Sequence, residues 1–90
     1  MMHDRICTPA ASVIASIHEG GAVLMDLASG KLFSANRTGA EIWQAVEAGQ
    51  SLETIAGQLS RVHGVPPERA HEYTERFVAA LGAHALVQVR

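Results

Sequence analysis

The chain has 90 residues, 48% of them hydrophobic and 18% charged, and its formal net charge is −2. That length and apolar content make one small globular domain and exclude a disordered chain. The slightly negative balance excludes an electrostatic pull toward nucleic acid or an anionic membrane.

Residues 1–11 are expected to form a loose N-terminal segment ahead of a folded domain over 12–90. Cys7 is the sole cysteine, so no internal disulfide forms and a reducing compartment fits. No basic helix lies near it to lower its pKa, and it reads as a bystander thiol. The stretch Pro9–Ile17 is too short to span a bilayer, and Ser12 and Ser16 interrupt it as a secretory signal. A cytoplasmic location is the expectation.

Val13, Ala15 and Ile17 alternate with Ile14, Ser16 and His18, the signature of a first strand with one buried face. Glu19-Gly20-Gly21 marks a turn. Ala22–Leu27 is nearly all apolar and predicts a central strand covered on both sides. Ala28-Ser29-Gly30 turns the chain again into a third strand, Lys31–Ala35. Three strands joined by two tight turns make an antiparallel meander whose third strand lies at an edge, with unpaired backbone donors and acceptors.

Asn36 is placed to cap a first helix from Arg37 to about Ala48, ended by Gly49, with Ile42, Trp43 and Val46 on its apolar side. Ser51 caps a second helix on which Leu52, Ile55, Leu59 and Val62 recur at helical spacing, and Gly64 ends it. Pro66-Pro67 opens a third helix, where proline's missing N–H costs nothing. Ala70, Tyr73, Phe77, Ala80 and His84 form a stripe along it, widened by Val78 and Leu81. Leu86-Val87 packs back as a short extended tail. The fold class is therefore α+β, three antiparallel strands followed by three helices.

Candidate catalytic groups do not assemble in the sequence. His3, His18, His63, His71 and His84 share no i, i+4 pair and no CxxC partner, so no metal site is specified. Gly20-Gly21, Gly30 and Gly39 match neither a P-loop nor a dinucleotide fingerprint. Asp4, Asp26, Glu41 and Glu47 offer no acid/base pair. No cofactor and no catalytic residue is expected.

The run GAVLMDLASGKLFSANRTGAEIW, residues 21–43, joins an apolar strand, a Ser29-Gly30 turn, a Lys-aromatic strand, Asn36, Thr38-Gly39-Ala40 and Ile42-Trp43. The run SLETIAGQLSRVHGVPPERAHEYTERFVAAL, residues 51–81, continues as the second and third helices. From about Ile14 to Val87 the chain resembles the PqqD family of peptide chaperones, also called RiPP recognition elements. Two positions depart from the family pattern: Ala35 stands where leucine usually precedes the asparagine, and Ala85 where glycine commonly ends the last helix.

The resemblance implies a winged helix-turn-helix-like domain that catalyses nothing. It implies that the leader segment of a ribosomally made precursor adds as an extra strand to the third strand and packs against the third helix. The partners implied are that precursor and a maturation enzyme. A leader peptidase or cyclase of lasso-peptide biosynthesis is preferred, and a radical SAM protein of a PQQ-type pathway comes second.

The residues placed to do this are Lys31, Leu32, Phe33, Ser34 and Ala35 on the strand, and Arg69, Tyr73, Arg76, Phe77 and Ala80 on the helix. Main-chain bonds would supply affinity and apolar pockets selection. Several alternatives stay open. Tyr73 and Phe77 serve either as groove lining or as plain core. Arg69 and Arg76 meet leader carboxylates or pair locally with Glu72 or Glu75. Leu32 and Phe33 point to opposite faces, so one faces the core. Lys31 reads equally as a guard against edge aggregation. A winged-helix DNA-binding module and a protein-scaffolding module are the competing functions. Against the first, the third helix sets Glu68, Glu72 and Glu75 against Arg69 and Arg76, the wrong sign for a recognition helix.

Overall fold

The computed structural model describes residues 5–89. The elements run β1 (Cys7–Pro9), β2 (Val13–His18), β3 (Gly21–Asp26), β4 (Lys31–Asn36), α1 (Arg37–Glu47), α2 (Leu52–His63), α3 (Pro67–Ala83) and β5 (Val87–Val89). The architecture is α+β. The expected meander is present as a three-stranded antiparallel sheet in the order β2-β3-β4, with Leu24 opposite Phe33 and Ala22 opposite Ala35. β4 and β2 are its edge strands.

Gly21 sets how β4 lies against β3. Its φ is +150°, and a Cβ there would stand 2.0 Å from the Ala35 carbonyl oxygen, so only glycine lets the two strands close at this end. At the other end Asp26 organises the turn into β4. Its carboxylate accepts from Ser12 Oγ at 2.6 Å, the Ala28 N–H at 3.1 Å and Ser29 Oγ at 3.0 Å.

The helices start and stop where local chemistry dictates. Asn36 Oδ1 accepts from the Gly39 N–H at 2.8 Å, and Ser51 Oγ from the Thr54 N–H at 3.1 Å, so side chains satisfy the otherwise orphaned donors of α1 and α2. α2 ends at Gly64 in the left-handed region. α3 closes in a Schellman pattern. The Leu86 N–H donates to the Leu81 carbonyl at 2.9 Å and the Ala85 N–H to that of Gly82 at 3.0 Å, and Leu81 and Leu86 are both buried. Ala85, at φ 59°, occupies the position that favours glycine.

The core lies between the sheet's inner face and the helices, built around fully buried Trp43 and Ile42 of α1, Leu24 of β3, Leu52 and Ile55 of α2, and Leu81 of α3.

Three expectations are corrected. The segment 1–11 is not loose over its described residues. Cys7–Pro9 pairs antiparallel with Val87–Val89, Cys7 is buried, and the Leu52 N–H donates to the Arg5 carbonyl at 2.8 Å. Residues 1–4 lie outside the described part. Burying Cys7, Leu86 and Val87 together repays the non-local pairing. Secondly, β3 is not covered on both sides: Ala22 and Leu24 are buried, whereas Val23 and Met25 on the outer face are only half-buried. Thirdly, Val62 is 72% exposed and does not join the buried face of α2.

Candidate functional site

β4 leaves one backbone edge without a strand partner among the described residues. Its side chains alternate, so Lys31, Phe33 and Ala35 share the face of buried Leu24 and Ala22, while Leu32 and Ser34 lie on the outer face beside Met25 and Val23. Phe33 is therefore the residue directed inward, toward α3. Leu32, 60% exposed, belongs to the opposite face, where Met25 separates it from Ile14.

The facing wall comes from one stripe of α3. At about 100° per residue, Tyr73, Phe77, Ala80 and His84 lie within a narrow arc. The buried stripe is a different one, Ala70, Thr74, Val78 and Leu81. Thr74 tolerates burial because its hydroxyl donates to the Ala70 carbonyl at 2.9 Å. Tyr73 is exposed and Phe77 half-buried, so neither is plain core.

Aromatic rings join the two walls. Phe33 packs edge-to-face against Phe77, with ring centroids 6.2 Å apart, and against the His84 ring at 5.0 Å. His84 Nδ1 lies 2.9 Å from the Ala80 carbonyl oxygen; since the carbonyl only accepts, Nδ1 carries the proton. Phe77 lies over Gly39, where a Cβ would come within 2.7 Å of the ring. At the far end the Tyr73 hydroxyl donates to Asn36 Oδ1 at 3.4 Å, tying α3 to the end of β4.

Two cavities lie toward the ends of this groove. One, of about 300 Å³, is lined by Thr38, Leu59, His63, Val65, Arg69, Ala70 and Tyr73. The other, of about 230 Å³, is bounded by Asp26, Lys31, Leu32, Phe33 and the run Ala83–Leu86. Asp26 is held below the usual carboxylate value by the Ser12 hydroxyl first, then by the Ala28 N–H and the Ser29 hydroxyl, so it stands ionised beside the start of β4.

Arg69 and Arg76 are exposed on the solvent side of the aromatic stripe. Among the described residues neither forms an ion pair, and the expected local partner Glu75 turns to Arg5 and lies 3.4 Å from His71 instead. Glu68 and Glu72 fall farther round the helix, away from the groove. A helix with more acid than base thus presents a basic rim.

The sequence-predicted residues Phe33, Ala35, Tyr73, Phe77 and Ala80 converge on the groove; Lys31, Arg69 and Arg76 border it; Leu32 and Ser34 point their side chains away. Sequence reasoning placed His84 on the stripe without giving it a role in the site. It also missed Thr38, His63 and Val65, which reach a shared cavity from separate elements and carry no local signal.

The family model of coenzyme PQQ synthesis protein D, PqqD, matches residues 21–87. The chain belongs to the PqqD family. Two solved structures share the fold of this PqqD-family chain. One is TbiB1 in complex with the TbiA(beta) leader peptide, 22% identical over 90% of this chain and 94% of that one, with a TM-score of 0.85. The other is a lasso peptide synthetase B1 complexed with its leader peptide, 23% identical over 91% and 96% of the two chains, with a TM-score of 0.84. No curated protein matches the sequence. No helix among the described residues is long and apolar enough to cross a membrane.

Proposed function

We propose that this PqqD-family chain binds the leader segment of a ribosomally synthesised precursor peptide and delivers it to a maturation enzyme, with no catalysis of its own. The observation that carries the reading is the unpartnered edge of β4 lying beside the aromatic wall of α3. In support, both structures of the same fold hold leader peptides. A guest strand would bond to the β4 backbone and set alternate side chains against Phe33, Tyr73, Phe77 and Ala80.

Magnitudes explain why edge and wall are both needed. Four or five main-chain bonds contribute about 0.5–1.5 kcal/mol each. Ordering the peptide costs about 2–5 kcal/mol or more. Each apolar anchor seated in the groove adds about 1.5–3 kcal/mol, which tips the balance toward binding. Lys31 at the start of β4 then discourages unspecific edge pairing.

The receiving enzyme in this reading is a lasso-type leader peptidase or cyclase, with a radical SAM protein second, and the setting is the cytoplasm. α2, the turn Gly64–Pro66 and α3 fit a helix-turn-helix, with the β3–β4 hairpin in the place of a wing. Titration calorimetry with a synthetic leader peptide of a lasso-type precursor and a scrambled control tests the proposal. Micromolar or tighter binding of the leader alone is expected; equal or absent binding of both peptides refutes it.

A further inference from the structure

We infer that residues 5–9 form a strap, locked by Arg5, whose opening and the occupation of the groove exclude one another; the coupling rests on the peptide-binding reading above. The helix α3 is held from two places. α2 packs along it and β5 packs against its C-terminal end, whereas α1 and β4 approach its backbone little. β5 has no part in the meander, and its strand partner is β1, with Cys7 opposite Val89 and Pro9 opposite Val87. β1 in turn lies on α1. The two ends of the chain thus make a ribbon that joins α1 to α3, extended by the Ala10 N–H donating to the Leu86 carbonyl at 2.8 Å. Leu86 also belongs to the run Ala83–Leu86 that bounds one end of the groove.

The strap carries its own lock. The Arg5 carbonyl accepts from the Leu52 N–H at 2.8 Å, and Ile6 bridges to Ser51. Arg5 Nη1 donates to Glu75 Oε1 at 3.1 Å, while Nη2 turns to the other oxygen of that carboxylate and to Glu53 Oε2 at 3.4 Å. One guanidinium therefore gathers the strap, α2 and α3. Without it, two carboxylates drawn toward one point repel.

A ribbon of two three-residue strands is marginal by itself, so its closure depends on this lock and on burying Cys7, Leu86 and Val87. The meander and the helices make their backbone bonds without it, and the ribbon opens as a unit ahead of them. Ala85, left-handed at φ 59° between α3 and β5, adds strain that opening relieves. With the ribbon open, α2 alone supports α3, and the end of the helix no longer keeps its distance from β4. A peptide spanning both walls needs that distance and binds the closed form. By linkage it must also suppress opening.

Cys7, free and buried under the closed strap, reports each opening through its rate of labelling by an aromatic disulfide reagent. At low urea this rate is expected to vary with urea far less steeply than global unfolding followed by Trp43 fluorescence. Arg5→Gln is expected to speed labelling about fivefold. The variant's leader affinity should stay within about twofold of the wild type, because the closed form remains in large majority. A synthetic leader peptide of a lasso-type precursor, at about a hundred times the dissociation constant measured by anisotropy, is expected to slow labelling at least tenfold, with about 100-fold as the limit. Labelling that follows global unfolding at every urea concentration, or that ignores Arg5→Gln, overturns the strap. If the leader binds but leaves labelling unchanged, the coupling fails and the leader-binding role stands; if the leader does not bind, both fail.

Discussion

Replacing Gly39 by alanine sets two opposed effects against each other at the base of the groove. Gly39 sits in the first turn of α1, where alanine would normally favour the helix by about 1 kcal/mol. Here the added Cβ would lie 2.7 Å and 2.9 Å from Phe77 Cε1 and Cζ, and 3.0 Å from the Ala35 Cβ. Overpacking of this kind costs about 1–3 kcal/mol. Phe77 is only half-buried, so its ring can swing outward into the groove and hold the cost to about 2 kcal/mol, the middle of that range. The net expectation is a loss of about 1 kcal/mol, a fall in Tm of about 4–8 °C for a domain this small. In a Phe77→Ala background only the 3.0 Å approach to the Ala35 Cβ remains, and the same change should stabilise by about 0.5–1 kcal/mol. The double-mutant cycle therefore carries a coupling of about 1.5–2 kcal/mol. Urea denaturation followed by the fluorescence of buried Trp43 reads all four corners. If Gly39→Ala stabilises the wild-type background, or costs the same in both backgrounds, the contact between Gly39 and Phe77 does not shape the groove.

Ala85→Gly should stabilise the fold by about 1 kcal/mol, because Ala85 holds a left-handed conformation at the end of α3 that disfavours a Cβ; thermal melting checks it, and no gain would contradict the strain. Asp26 has a pKa below its ordinary 3.8, so its contribution is intact above that value and is lost as pH falls through the lower folded value. Asp26→Asn should accordingly flatten the decline of the urea midpoint in acid, and an unchanged acid limb would count against the Ser12–Asp26–Ser29 arrangement. Burial pushes the Cys7 thiol up to about 11, so its share of stability is present below the unfolded value of 9.0 and is lost as pH rises through 11. Thiol labelling at pH 8 should be slow in the folded chain and fast in urea; rapid labelling of the folded chain would contradict the β1–β5 pairing.

Much of the local structure was readable because it is governed by neighbours in sequence. The caps Asn36 and Ser51, the stop at Gly64 and the proline start of α3 each act within one turn. The strand β1 was not readable, because three residues around Cys7 gain a partner only from Val87–Val89 at the other end of the chain. The stripe on α3 was found but its surroundings were not. Tyr73, Phe77 and His84 carry the larger rings, yet the core takes Ala70, Thr74, Val78 and Leu81, the side on which α2 and β5 pack. Thr74 hides its polarity in a bond to its own helix, which composition cannot reveal. Of the candidate site, the edge strand and the aromatic residues followed from pattern. The cavity shared by Thr38, His63 and Val65 required the tertiary fold.

Amide hydrogen exchange, with and without a synthetic leader peptide of a lasso-type precursor, addresses the central claim most directly. Adding the leader should slow exchange at outward-facing amides of β4 between Lys31 and Asn36 and leave the opposite edge, β2, unchanged. Protection confined to β2 or to the α1–α2 side, with β4 exchanging as before, would contradict strand addition at β4.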